Sequence, residues 1–286
     1  MNNKPLVVQT YAPESPIKHP GAFLLEVIEG FKTSRELAWR LTLRDFSSLY
    51  RQSIAGYLWA FLPPLVTSFT FVTLRSSGAF TIEGTSIPYA AFALTGTILW
   101  QTFVDSMNNP LKTMGSCKAM LVKINFPREA LILSPIFMSL INLGIRLAIL
   151  IPVMLWFQFP LTPSLLLAPL GLLSLIILGT CFGLLLAPLG ALYSDIGLGI
   201  MLSTTFWMFL TPVVFPGIRT GVAGILMQIN PVTYTLGATR DWLTGTPDSP
   251  FTMGFLIVTG GSLITLGFGA VIFRLLLGRV VERMGM

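Results

Sequence analysis

Charge is scarce in this sequence. Asp, Glu, Lys and Arg make up 10% of its 286 residues, against 53% hydrophobic ones, and the mean hydropathy is +0.76. That balance excludes an ordinary soluble domain. Histidine occurs once, at His19 in a polar stretch, so histidine-based metal sites and catalytic triads lack their parts. The two cysteines, Cys117 among charged residues and Cys181 inside an apolar run, imply no disulfide framework. No Gly-x-x-x-x-Gly-Lys-Ser/Thr loop occurs, so ATP-driven work would need a separate subunit. Internal repeats and low-complexity segments are absent too. Residues 1–50 hold no apolar stretch of the length a cleavable signal peptide needs, so the first span is expected to act as the targeting signal.

Long uncharged runs are what the sequence has instead. None of the residues between Arg51 and Arg75 is charged. At about 1.5 Å per helical residue such a run crosses a hydrocarbon core of roughly 30 Å. Similar runs recur to the C-terminus, and the length accommodates about six of them. The expected fold is an all-α membrane protein with spans near 55–74, 87–104, 130–157, 165–192, 196–216 and 251–273. Residues 1–32 read as a cytoplasmic N-terminal segment, 33–54 as an amphipathic interface helix and 55–286 as the six-span domain.

The net charge of +6 fits nucleic acid on charge alone, but its distribution favours a membrane. Lys4, Lys18, Lys32, Arg35, Arg40, Arg44 and Arg51 precede the first span. Lys112, Lys118, Lys123 and Arg128 fall in the second loop, and Arg274, Arg279 and Arg283 in the tail. With six spans these lie on one side, and the other side holds only Arg75, Arg219 and Arg240. Both termini are therefore expected in the cytoplasm. Five spans would put the tail arginines outside. The fourth and fifth spans are the weakest boundary, with a tight external turn around 157–164 and an internal one at Asp195.

Thr33-Ser34-Arg35-Glu36 matches a capping box. Beyond it Trp39, Leu43, Phe46 and Tyr50 recur at helical spacing, with Glu36, Arg40, Arg44, Ser47 and Arg51 on another face. A basic, aromatic helix of this kind suits the cytoplasmic interface plane. The plainer reading is a juxtamembrane anchor.

Charged residues within spans are functional candidates because lipid penalises them. Arg146 falls about 25 Å along a helix from Glu129, near the outer face, where snorkelling and facing a polar pathway are both open. Asp105 and Asp195 are expected at span ends. With no carboxylate central in a span, proton coupling is disfavoured, and sodium coupling through carbonyls and hydroxyls stays open. Pro63-Pro64 is expected to kink or break the first span. Gly254, Gly260, Gly261, Gly267 and Gly269 would permit close approach of the last helix, with ordinary tolerance of glycine as the alternative.

Several local patterns then coincide in order. They are the amphipathic segment from Leu37-Ala38-Trp39-Arg40 to Tyr50-Arg51, Gly56-Tyr57-Leu58-Trp59 running into Pro63-Pro64-Leu65, Asn125-Phe126-Pro127-Arg128-Glu129, Tyr193-Ser194-Asp195, Thr211-Pro212-Val213-Val214-Phe215-Pro216, and Asn230-Pro231 followed by Arg240. Together they resemble the membrane subunit of ABC-2-type polysaccharide exporters, which export O-antigen, capsule and teichoic-acid chains. Ser194 stands where that family has arginine, so any role of that arginine does not carry over.

The resemblance covers roughly residues 33–283. It implies a homodimer in the bacterial cytoplasmic (inner) membrane on two copies of a separate ABC ATPase, carrying a lipid-linked polysaccharide. No cofactor or metal is expected in this chain; ATP and Mg would sit on the ATPase. It also implies a path between subunits lined by the first and fifth spans, and re-entrant or interfacial outer gate helices within 217–249. A bland extracellular loop is the alternative for that last segment. Sugar rings stack on aromatic faces, so Trp59, Phe61, Phe69, Trp207, Phe209 and Phe215 are candidate path-lining residues; lipid-facing or bundle packing is the alternative. The loop 108–129 is the candidate ATPase-coupling element, with Leu111, Met114, Met120, Leu121 and Ile124 as its apolar component; a solvated basic loop is the alternative. Trp39, Arg40, Arg44 and Arg51 mark the interface helix. A permease for a drug, lipid or other small amphiphile shares the fold. An intramembrane glycosyl- or phosphotransferase is disfavoured by the shortage of buried acids, histidines and metal-ligand clusters.

Overall fold

The computed structural model describes residues 29–50, 56–78, 85, 87–123, 126–217, 221–246 and 249–284. Expectations for residues 1–28, Arg51, Ile124 and Arg219 lie outside the described residues. Every regular element among the described residues is helical. In chain order they are α1 (Arg35–Tyr50), a 3₁₀ turn (Gly56–Ala60), α2 (Leu62–Ser76), α3 (Tyr89–Lys123), α4 (Ala130–Trp156), a second 3₁₀ turn (Pro163–Leu167), α5 (Ala168–Leu192), α6 (Asp195–Phe209), α7 (Gly221–Ile229), α8 (Pro231–Leu243) and α9 (Thr252–Met284). Among the described residues three stretches are long and apolar enough to cross a membrane, Ala130–Trp156, Pro163–Leu192 and Thr252–Leu277.

Several boundaries differ from the sequence reading. Pro63 and Pro64 do not kink the middle of a span. They occupy the first turn of α2, where a missing N–H has no helical partner to lose. This leaves α2 at 15 residues, about 22 Å, with the turn at Gly56–Ala60 ahead of it. The helix of the expected second span does not end near 104. Helix α3 runs 35 residues to Lys123, carrying Pro110 within it, so most of the expected loop 108–129 is helix. The fifth span stops at Phe209, and 210–217 is irregular.

The capping box does not form. Residues 29–33 are already helical, and Thr33 Oγ1 donates back to the Glu29 and Gly30 carbonyls at 3.2 and 3.1 Å. Glu36 turns outward and pairs with Arg40 at 2.6 Å, an exposed i,i+4 bridge that contributes little. Burial determines where this helix sits. Ala38 and Leu41 belong to an apolar cluster with Met114, Leu131, Ile132 and Leu277, and α1 is docked chiefly on α4.

The central pair is α3 and α5. A Cβ on Gly179 would meet the Phe103 carbonyl at 2.6 Å and Ser106 Cβ at 2.8 Å. One on Gly183 would collide with the Met107 carbonyl and reach Pro110 Cγ at 2.9 Å. Gly179-x-x-x-Gly183 is therefore the close-approach seam, and small residues are what bring helix backbones together inside a membrane. The last helix does not use its glycines that way at Gly260, Gly261 or Gly267, where no atom lies within 4 Å of an added Cβ. Only Gly254, against the Tyr234 ring, requires its missing side chain.

Candidate functional site

The six aromatic candidates separate into two groups. Trp59 lies in the first 3₁₀ turn and Phe69 on α2, and both face outward, Phe69 with 73% of its surface exposed. Phe61 is half-buried at the start of α2. Phe209 and Phe215 come against α2 through Phe71, with ring centroids at 6.3 and 5.7 Å, so the end of α6 and the corner after it meet the first apolar helix. Phe71 was not among the candidates. Trp207 takes the bundle-packing alternative: its ring sits 5.4 Å from Phe103, 5.5 Å from Phe182 and 6.4 Å from Trp100. The outward aromatic of that turn is Phe206, 71% exposed. One residue of helical rotation separates the two, and composition alone does not fix it.

Trp207 is held by Asn230. Its indole N–H donates to Asn230 Oδ1 at 3.0 Å. The same oxygen accepts from Val232 N at 3.0 Å and so caps α8, while Asn230 Nδ2 donates to Thr211 Oγ1 at 2.7 Å and the Leu210 carbonyl at 3.1 Å. One buried side chain thus joins α6, the 210–217 corner and α8, with Pro231 in the first turn behind its cap. Segment 217–249 is largely a pair of helices, α7 and α8. Arg240 of α8 is buried, donates to the Val213 carbonyl at 2.8 Å, and lies 3.9 Å from the Phe92 ring centroid. A cation over an aromatic face and on a carbonyl recovers part of what burial costs.

Arg146 does not snorkel. It forms an ion pair with Asp105, with their side chains 4% and 21% exposed. Asp105 is not at the end of a helix. It lies midway along α3, where Gln101 Nε2 also donates to it at 2.9 Å. A carboxylate thus does sit well inside a long helix. Its signal was present as a polar stripe, Asp105, Asn109, Lys112 and Ser116, at the 4, 3, 4 spacing of one helix face.

At the end of α3, Met114 is 1% exposed, and its side chain packs within this chain rather than being offered to a partner. Leu111, Met120 and Leu121 are half-buried around the same cluster. The outward residues there are Lys112, Lys118 and Lys123. Of the interface-helix set, Trp39 packs edge-on to Phe137 at 6.0 Å, and Arg40 is exposed. Arg44 ties α1 to α3 through Asp45 at 2.7 Å, Ser116 at 3.1 Å and Cys117 Sγ at 3.4 Å. Burial works against the Arg44 charge, but the hydrogen bonds to Cys117 and Asp45 outweigh it and hold its pKa above the ordinary value. Nearby, Glu129 reaches Arg274 at 3.2 Å and joins α4 to α9. Among the described residues no cluster of His, Cys, Asp or Glu could hold a metal ion.

Comparison with known proteins agrees with this architecture. Over 250 residues the chain is 25% identical to the O-antigen export system permease protein RfbA of Klebsiella pneumoniae, covering 85% of this chain and 92% of that protein. It is 26% identical over 195 residues to the protein of the same name from Myxococcus xanthus, covering 68% and 73%. The signature of the ABC-2 type transporter family matches residues 36–243, from α1 through α8. The chain belongs to the ABC-2 type transporter family and is a multi-pass membrane permease, a transport subunit of the kind that works with an ABC ATPase.

Proposed function

We propose that this permease exports a lipid-linked polysaccharide of the O-antigen class across the bacterial cytoplasmic membrane. It works as a homodimer on two copies of a separate ATPase, which binds the ATP and Mg. In this reading α2 to α6 and α9 make six spans, with α2 and α6 completed by the turns beside them, and α1 lies in the cytoplasmic interface. Both termini are cytoplasmic, and α7 and α8 form the outer gate. The observation that carries the cargo is the likeness, across nearly the full chain, to permeases named for O-antigen export.

The bundle supplies a compatible surface. Leu62, Leu65 and Phe69 of α2 and Leu198, Leu202 and Phe206 of α6 are exposed apolar residues. A second subunit with a sugar path along the seam would cover them. Phe69, Phe206 and Phe209 are the lining this arrangement favours, since sugar ring faces stack on such side chains. The ATPase contact falls to the basic end of α3, with Lys118 at its exposed face.

Deletion of the gene in its native host, followed by immunoblotting of surface and total polysaccharide, tests the cargo. Loss of the polymer from the surface with accumulation inside is the expected result. Unchanged surface polysaccharide would refute it, and loss of efflux of a small amphiphile instead would point to the other cargo class.

A further inference from the structure

A cavity of about 500 Å³ opens between α1, the first 3₁₀ turn, α3 and α4. Its size falls within the roughly 300–1,000 Å³ of small-molecule sites. Its wall is unlike the rest of this molecule. Asp45, Asp105, Asn109, Asn142 and Thr113 line it, with Trp59 on one side. The groove between α4 and α5, by contrast, is walled almost entirely by leucine, isoleucine and methionine.

The cavity's hydrogen-bonding groups are only partly engaged. Asn109 Nδ2 donates to Ser139 at 2.9 Å, which leaves its carbonyl oxygen open. The Asn142 amide has no hydrogen-bond partner among the described residues. Amide groups that open into a cleft of this kind are met by water or by a ligand. Its two carboxylates are already balanced, Asp45 by Arg44 and Asp105 by Arg146. Lys112, on the exposed rim, is the one wall cation without such a partner. The interior therefore offers acceptors, amides and an aromatic face with no net charge. That set matches a neutral sugar, whose hydroxyls need acceptors and donors and whose C–H face stacks on an indole. A diphosphate would need a concentration of free cations, and among the described wall residues Lys112 is the single cation.

The rim adds a second property. Trp59 is 57% exposed, and Leu49 and Leu58 beside it are exposed as well. From Ser116 to Asp105 the cavity follows α3 for about 16 Å. A polar recess with an apolar lip of this kind suits an amphiphile that lies in a membrane leaflet with its sugar turned into the protein.

We propose that this cleft is a loading site that binds neutral sugar units of the cargo next to its lipid anchor, with Asn142 and Asn109 as hydroxyl partners and Trp59 as the stacking face. The proposal rests on the polysaccharide-export reading for the identity of the amphiphile. Its test does not.

The full-length permease in nanodiscs, with its ATPase, is titrated with an alkyl maltoside and an alkyl N-acetylglucosaminide below their micelle concentrations, and with an alkyl diphosphate. Saturable binding of at least one alkyl glycoside is expected, weakened about tenfold by Asn142→Leu and by Trp59→Ala. Asn142→Gln, which keeps the amide, should retain most of the affinity, and gel filtration confirms that each variant is monodisperse. Binding that both substitutions leave unchanged would overturn the site, as would absence of glycoside binding or tighter binding of the diphosphate. If the glycoside binds as described while gene deletion leaves surface polysaccharide unchanged, the cleft stands and the export reading falls. If export is lost on deletion but the cleft variants bind normally, only the cleft falls.

Discussion

Replacing Asp105 by asparagine removes the counter-charge of Arg146, a side chain only 4% exposed. The guanidinium would keep only neutral partners, the introduced amide and Thr102 Oγ1 at 3.5 Å, and its Nε already lacks one. An uncompensated buried charge of this kind costs about 3–5 kcal/mol. The reverse change, Arg146→Met, is milder. Asp105 is 21% exposed on the polar cleft and keeps the Gln101 donor, so water reaches the charge that remains. Removing both charges in Asp105→Asn/Arg146→Met should return stability close to the parent, because replacing a whole buried pair by neutral groups is often neutral or favourable. The order is therefore parent and double variant together, then Arg146→Met, then Asp105→Asn. The assay is the midpoint of thermal aggregation of purified, detergent-solubilised protein, read by gel filtration and treated as a double-mutant cycle. Additive losses, with the double variant the worst of the four, would refute the coupling. So would an Asp105→Asn variant as stable as the parent.

Three further outcomes are expected. Asn230→Ala should lower the midpoint more than Asn230→Asp: alanine loses the α8 cap, worth about 1 kcal/mol, and orphans the Trp207 N–H, whereas aspartate keeps both accepted bonds and loses only the amide donors; equal effects would reject Asn230 as the joint. Gly179→Ala should cost about 1–3 kcal/mol by pressing on the Phe103 carbonyl, while Gly260→Ala, which meets nothing within 4 Å, should be neutral or slightly stabilising by thermal midpoint. Trp207→Ala should destabilise the fold by about 3–5 kcal/mol, whereas Phe206→Ala should fold normally and reduce surface polysaccharide; normal export by a well-folded Phe206→Ala would count against the α6 face as a path lining.

The long apolar runs made α4, α5 and α9 legible, because uncharged helical stretches of that length have few other places to go. Pro160 with Pro163, and Tyr193 before Asp195, marked the turns on either side of α5 correctly. Local signals misled where burial competes with them. Thr33-x-x-Glu36 has the form of a cap, yet burial of Ser34, Ala38 and Leu41 continues the helix upstream through it. A loop is expected to begin at 108, yet α3 continues through Pro110; there Asn108 Nδ2 donates to the Val104 carbonyl and Pro110 lies against Gly183.

That single boundary hid most of the candidate site. With α3 ended near 104, Asp105, Asn109, Lys112 and Ser116 scatter over a loop and carry no spatial relation. With α3 carried to Lys123, the same four residues form one stripe toward α1 and α4, and Phe103, Met107 and Pro110 form another toward Gly179 and Gly183 of α5. The two faces depend on each other. The glycines of α5 draw α3 in close along its apolar stripe, and this fixes its rotation so that the polar stripe faces Arg146 and the cleft. A bulky residue at 183 would push α3 away or turn it, and would disturb the Asp105–Arg146 pair without touching either residue. The glycines that matter for close approach are therefore those opposite the polar stripe, and the more numerous glycines of α9 are mostly free of that duty.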